Sequence, residues 1–341
     1  MQNGERTLRI LARPFHKYLH LDPGVTDIIM NRPCEVAVES RGIWSWHHEP
    51  ALTFDRLDAM AILAGALMGK DIDETCPILD THIPMQLDAS DEPTKCRLAI
   101  CRPNATEPGN VVLALRRPPA HARSVRDDDF RPLFATTNQP GTQRRQADQH
   151  LLHLYRNSRF DEFLPAAVQA RRTVGGVGRT GSGKTDLLRR LLAEIPEHER
   201  IVTGEDTPEF GKLRQRNRAA LFWGSPAVTP GDIATAFLRL RPDRPVMQEV
   251  RGAESYEFLE TIANGHPGGM TTWHSESGDP FDSLLLKIKK NPHATGVPDD
   301  KIRAMLKEYI HVVFTADKVD GVFAVTNIWF RDAEEADREA A

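Results

Sequence analysis

Lys184 and Thr185 close the stretch Gly178-Arg179-Thr180-Gly181-Ser182-Gly183-Lys184-Thr185, which fits the pattern G-x-x-x-x-G-K-[ST]. Those residue types at that spacing suit the binding of a nucleoside polyphosphate. Glycines such as Gly178, Gly181 and Gly183 let successive backbone N–H groups, including those of Thr180 and Ser182, turn inward around phosphate oxygens. A lysine then sets a compact positive charge on the β- and γ-phosphates, and a threonine hydroxyl holds Mg²⁺. The apolar residues 173–177 predict a strand before the loop, and residues 186–194 predict a helix after it. The N-terminus of that helix adds its own partial positive charge.

Three further segments bring groups that hydrolysis needs. Thr203-Gly204-Glu205-Asp206-Thr207-Pro208-Glu209 follows a strand expected at Ile201-Val202. Its carboxylates, Glu205 and Glu209 among them, can order Mg²⁺ and its waters or the attacking water; alone, they would read as a charged loop. Pro245-Val246-Met247-Gln248-Glu249 reads as an apolar strand ending in an acid. A carboxylate there can orient or deprotonate water for in-line attack. Residues 265–274, Gly-His-Pro-Gly-Gly-Met-Thr-Thr-Trp-His, run from a glycine-rich turn into an extended segment ending on His274, placed to sense a γ-phosphate or to serve structure.

The elements that must position these groups follow from pattern and punctuation. At 341 residues two domains are expected. Residues 1–118 read as a smaller α+β domain: a helix over 8–21, short strands over 25–31, 36–39 and 43–46, a helix over 55–70 capped by Thr53, and closing strands over 96–101 and 111–117. Residues 119–150, with Pro118-Pro119 at their start and the charged run Arg126-Asp127-Asp128-Asp129, offer little to bury and read as a linker. Residues 151–341 form the third segment. Helical patterns over 147–155 and 160–171 lead into strands that alternate with helices, which implies a mostly parallel sheet. A helix over 299–308 and a hairpin at Asp320-Gly321 end the pattern.

Composition narrows the class. The chain is 40% hydrophobic and 27% charged with a formal net charge of −4, which argues against a dedicated nucleic-acid binder. The four cysteines form no C-x-x-C pair and suit reduced thiols. The longest apolar run, residues 59–68, is half of the ~20 residues a membrane span takes. No export signal opens the chain, and a cytoplasmic protein is expected.

Taken together, the loop, the acidic box 203–209, Arg241-Pro242-Asp243-Arg244 leading into Glu249-Val250-Arg251-Gly252, and the histidine box 265–274 resemble, in this order, the hexameric traffic ATPases of type IV secretion and conjugative DNA transfer. Asn31-Arg32-Pro33 and Leu115-Arg116-Arg117-Pro118 extend the resemblance over nearly the whole chain. The resemblance implies a RecA-like ATPase domain, an N-terminal domain covering the nucleotide, and a homohexamer peripheral to the cytoplasmic face of the inner membrane. It also implies ATP and Mg²⁺ as ligands, secretion-channel components as partners, and a DNA or protein substrate handed on. Carried over by position, Lys184 and Thr185 bind phosphates and Mg²⁺, Glu205 and Glu209 belong to the acidic box, and Glu249 and His274 complete the catalytic set. Arg97 and Arg116 would face the nucleotide. Arg239, Arg241 and Arg251 would compensate charge within or between subunits.

Several positions depart from that family. Asp186 stands where a second hydroxyl residue usually reaches the α-phosphate, and a carboxylate there should weaken ATP binding. Gly175-Gly176 and Gly204 lie in expected strands, Pro245 opens another, and residues 88–94 read as an inserted polar loop. These departures point to a weaker or divergent enzyme. The competing expectations are a type II secretion or pilus ATPase, many of which carry a four-cysteine metal site, and a nucleotide-binding scaffold with weak turnover. The lack of an N-K-x-D motif argues against a small GTPase.

Overall fold

The computed structural model describes residues 2–22, 24–85, 93–118, 142–224, 227–275 and 278–340. Most of the expected linker, and residues 88–92 of the expected polar loop, lie outside them.

The first domain runs α1 (Gln2–Ala12), a 3₁₀ turn, α2 (His16–Leu19), β1 (Val25–Arg32), β2 (Glu35–Ser40), β3 (Ile43–His48), α3 (Phe54–Leu67), β4 (Ile78–Met85), β5 (Thr94–Cys101) and β6 (Val112–Arg116). Thr53 caps α3 by accepting from Arg56 N at 3.3 Å, as its sequence position predicts. The strands form an antiparallel sheet in the order β3-β2-β1-β6-β5-β4. Thr94, expected in a loop, opens β5, and β4 was not anticipated at all. Thr81, polar at an inward position, hides its alternation together with Pro84; the proline is tolerated because β4 is an edge strand. One face of the sheet (Ile28, Met30, Val38, Leu98, Leu113) packs on Leu8, Phe15, Leu57 and Met60.

The second domain runs α4 (Thr142–Arg156), α5 (Phe160–Gln169), β7 (Val174–Val177), α6 (Lys184–Leu192), β8 (Ile201–Glu205), β9 (Arg218–Phe222), α7 (Pro230–Leu240), β10 (Arg244–Met247), α8 (Glu254–Ala263), β11 (Met270–Trp273), α9 (Pro280–Ile288), α10 (Asp299–Tyr309), β12 (Val312–Val319), β13 (Val322–Phe330) and α11 (Arg331–Ala340). Helix α4 begins inside the stretch expected to be linker. The sheet order is β13-β12-β7-β11-β10-β8-β9, parallel except for the antiparallel edge strand β13. This is the α/β, RecA-like arrangement, with the loop-bearing strand in the middle.

The strand glycines do not loosen it. A Cβ on Gly175 would strike the Trp273 ring, and one on Gly176 the Phe314 ring; both rings are fully buried. Gly204 likewise makes room for Ile233 and Met247. The expected entropic cost is offset by apolar area that a side chain at these positions would displace. Pro245 sits in a central strand rather than at an edge, and Val246↔Met270 is the one registered β10–β11 pair. A missing N–H at residue 245 fits that short ladder.

The two domains share a core. Ile29, Ala37, Ala99, Cys101 and Ala114, on the other face of the first sheet, pack with Leu221, Ile233, Ala236 and Phe237. Phe222 N donates to Ala105 O at 2.9 Å. Arg200, fully buried, donates to Asn31 Oδ1 and Asn217 Oδ1, each at 2.6 Å, and to Leu240 O.

Candidate active site

The loop leaves β7 at Gly178 and enters α6 at Lys184. Gly178, Gly181 and Gly183 have φ of 150°, 74° and 84°, where side chains are disfavoured. A Cβ on Gly178 would strike Ala316 O of the neighbouring strand. Ser182 is buried with its hydroxyl unpartnered, and Thr180 and Gly181 are exposed at the rim. An orphaned buried hydroxyl inside a glycine cradle fits a phosphate oxygen. Lys184 is buried, donates to Arg179 O at 2.9 Å, and lies 3.4 Å from His274 Nδ1. Burial lowers the Lys184 ammonium below the ordinary lysine range, with the Glu249 charge opposing.

His274 links the loop to the acid. Its Nε2 is 2.9 Å from Glu249 Oε1, while Nδ1 lies 3.2 Å from Gly178 O and near Lys184. Glu249 Oε1 has no aligned hydrogen-bond donor, so this is a close ion-pair contact and not a hydrogen bond; Lys184 can donate to Nδ1 wherever that nitrogen carries its lone pair. Glu249 stands just past β10, and its Oε2 is 3.1 Å from Arg251 Nη2, which also meets Asp206 Oδ2 at 2.8 Å. Gln248 Oε1 accepts from Asp206 N at 2.9 Å, fixing the acidic turn against β10. Lys287 of α9 donates to His274 O at 3.3 Å, and burial lowers its ammonium, with Lys290 adding to the effect. Lys184, Glu249, His274 and Arg251 thus converge on the carboxyl end of the sheet, where open α/β folds place ligands.

Other expected residues lie elsewhere. Glu205 belongs to β8 and is fully buried; Oε1 accepts from Thr203 Oγ1 at 2.7 Å and Arg218 at 3.2 Å, and Oε2 from Phe210 N at 3.0 Å. With both oxygens engaged it braces the acidic turn. Glu209 is exposed beyond the strand. Asp206 is the acidic-box residue tied into the site, a role its sequence gave no means to separate from that of its neighbours. Lys287, one of three lysines over residues 287–290, is a further site residue that the sequence offers no means to single out.

Arg241 also stands apart from the loop. Its Nε is 3.1 Å from Asp27 Oδ2 and its Nη2 3.6 Å from Glu39 Oε2, so it joins the two domains. Arg239 does the same with Asp80 at 2.7 Å. Arg97 and Arg116 are cross-strand neighbours that line an open groove of about 640 Å³ with Lys70, His82, Lys95 and Arg117. They share the sheet face that docks on the second domain, at the end beyond the docked part.

Asp186 turns outward from the phosphate cradle. Its oxygens accept from Arg189 at 3.0 Å and Arg190 at 2.9 Å, and these bonds, that to Arg190 foremost, hold its carboxyl below the usual range. The charge expected to repel the α-phosphate is therefore compensated on an exposed helix face. Asp186→Thr should change ATP affinity by no more than about threefold in calorimetry; a tenfold tightening would restore the simple repulsion.

Comparison with known proteins now bears on this geometry. The profile of the Type II/IV secretion system protein family matches residues 144–285. The type IV secretion system protein PtlH of Bordetella pertussis is 33% identical over 90% of this chain and 91% of its own length. The type IV secretion system protein VirB11 of Bartonella henselae is 30% identical over 91% of this chain and 89% of its own. The chain belongs to the VirB11/PtlH family of type IV secretion ATPases. A crystal structure of the VirB11 ATPase from the Brucella suis type IV secretion system, in complex with sulphate, superposes with a TM-score of 0.88 over 98% of both chains at 28% identity. Membership in this family disfavours the type II and pilus alternative. Among the described residues, no group of histidines, cysteines and acids could hold a metal, and no helix is long and apolar enough to cross a membrane.

Proposed function

We propose that the chain is the ATP-hydrolysing motor subunit of a type IV secretion apparatus, acting as a ring of six copies at the cytoplasmic face of the inner membrane. The supporting observation is the contact chain Lys184–His274–Glu249, which couples the phosphate cradle to a carboxylate placed for in-line water attack. In this reading Lys184 leaves Arg179 O for the β- and γ-phosphates, and the Ser182 hydroxyl gains the partner it lacks. Thr185, half-buried at the first turn of α6, would hold Mg²⁺, which would neutralise charge on the phosphates. Glu249 takes the proton of the attacking water as the γ-phosphoryl passes to it and ADP leaves.

The ring assigns the arginines of the first domain. Arg97 and Arg116 lie in an open groove facing away from the first-domain core, available to the nucleotide of a neighbouring copy. Inner-membrane channel components would anchor the ring, and DNA or protein is the cargo class. Two measurements test this. Phosphate release from ATP should exceed that of Lys184→Ala, and the mass with Mg-ATP should be that of six copies. Mixing Lys184→Ala chains with Arg97→Ala/Arg116→Ala chains should restore part of the turnover that each lacks alone. No restoration would show that sites are not shared between copies.

A further inference from the structure

The β12–β13 hairpin carries an apolar tip that the hydrolytic mechanism leaves unused. β12 pairs with β7 as far as Thr315↔Val177, then runs on past the loop to a two-residue turn at Asp320-Gly321, both with positive φ. Beyond the sheet Val319, Val322, Phe323 and Val325 all stay exposed, Phe323 at 41% and Val322 at 69%. Phe323 is seated directly on the phosphate loop: a Cβ on Gly183, the residue before Lys184, would strike its ring. One side of this aromatic ring thus covers the loop, and the rest is open to solvent.

We propose that Phe323 is the platform on which the nucleobase stacks, with Val325, on the same face of β13, as its apolar neighbour. The proposal rests on the nucleotide-binding reading above. A polyphosphate gripped by residues 178–185 must send its ribose and base out over the loop, and Phe323 is an aromatic ring seated on that loop at Gly183. Every base offers a π-face, so stacking of this kind adds affinity without choosing strongly between adenine and guanine. The glycine at 183 then has two uses, the left-handed backbone that opens α6 and the clearance that lets the ring approach.

Phe323→Leu keeps an apolar side chain on Gly183 and removes the π-face; Phe323→Ala removes both. Equilibrium binding of ATP and of inorganic triphosphate to the full-length protein separates the outcomes. ATP should bind roughly ten- to a hundredfold more weakly to both variants, with triphosphate unchanged within about twofold, and Phe323→Trp should restore ATP. Equal loss of ATP and triphosphate would make the ring a prop for the loop and overturn the proposal. Unchanged ATP binding with a lower oligomeric mass would overturn it too, and assign the tip to contact between copies. Wild-type protein that binds neither ligand would instead sink the underlying nucleotide reading.

Discussion

Glu249→Gln is expected to bind ATP within about threefold of wild type while releasing phosphate about 10²- to 10⁴-fold more slowly. The amide oxygen can still accept from Arg251, whose Nη2 is 3.1 Å from Glu249 Oε2, while the amide NH₂ takes the side facing His274, so the arginine clamp that positions the side chain is kept. What is lost is the ability to take a proton. Lys184→Ala should behave differently, losing affinity and turnover together, because its ammonium is both the buried charge and the partner of His274. Single-turnover phosphate release beside a binding titration tells the two apart. A glutamine variant within tenfold of wild-type turnover would remove Glu249 from the chemistry, and would favour a scaffold with weak turnover if wild type is itself no faster than Lys184→Ala.

The sequence made the phosphate loop legible because one backbone geometry demands those glycines and that lysine at one spacing. Glu249 and His274 were legible for a related reason: each ends a short apolar run, and parallel strands deliver their ends to one edge of the sheet. Pairwise contact is what local pattern could not show. Glu205, Asp206 and Glu209 look alike as a cluster, yet strand β8 carries Glu205 into the core while Asp206 alone turns to Arg251. Asp186 looked like a fault in the loop until Arg189 and Arg190, one helical turn on, were seen to hold it. Gly175 and Gly176 looked like weak points because the Trp273 and Phe314 rings that fill their space come from strands about a hundred residues away or more. Strand β4 escaped because Thr81, a polar residue at an inward position, merges with Asp80 and His82 into a polar run, and Pro84 argues against a strand.

Arg241→Ala should be the most destabilising of the changes considered, and its cause lies away from the nucleotide. Arg241 is the left-handed residue that ends α7, with φ 54°, and from there its guanidinium reaches across to the first domain. It meets Asp27 and Glu39, which are only 3% and 5% exposed, and lies 5.3 Å from the Trp44 ring centroid. Glu39 keeps other donors, the Thr26 hydroxyl and Gly42 N. Asp27 keeps little: Arg116 is 3.9 Å away and mostly exposed. Removing the half-buried Arg241 leaves a buried carboxylate uncompensated, a loss bounded by the about 3–5 kcal/mol typical of fully buried pairs and still a sizeable share of the ~5–15 kcal/mol by which domains are stable. The first domain should therefore loosen from the second at a lower temperature, seen as an earlier calorimetric transition. Replacing all three charges, Asp27→Asn, Glu39→Gln and Arg241→Met, should recover much of the loss, because no bare charge is then buried. ATP affinity of the intact fold at low temperature should stay within about twofold, since Arg241 is engaged at the domain junction and its partners belong to β1 and β2. A large rise in the Kd for ATP with an unshifted melting transition would reverse the assignment and return Arg241 to the nucleotide.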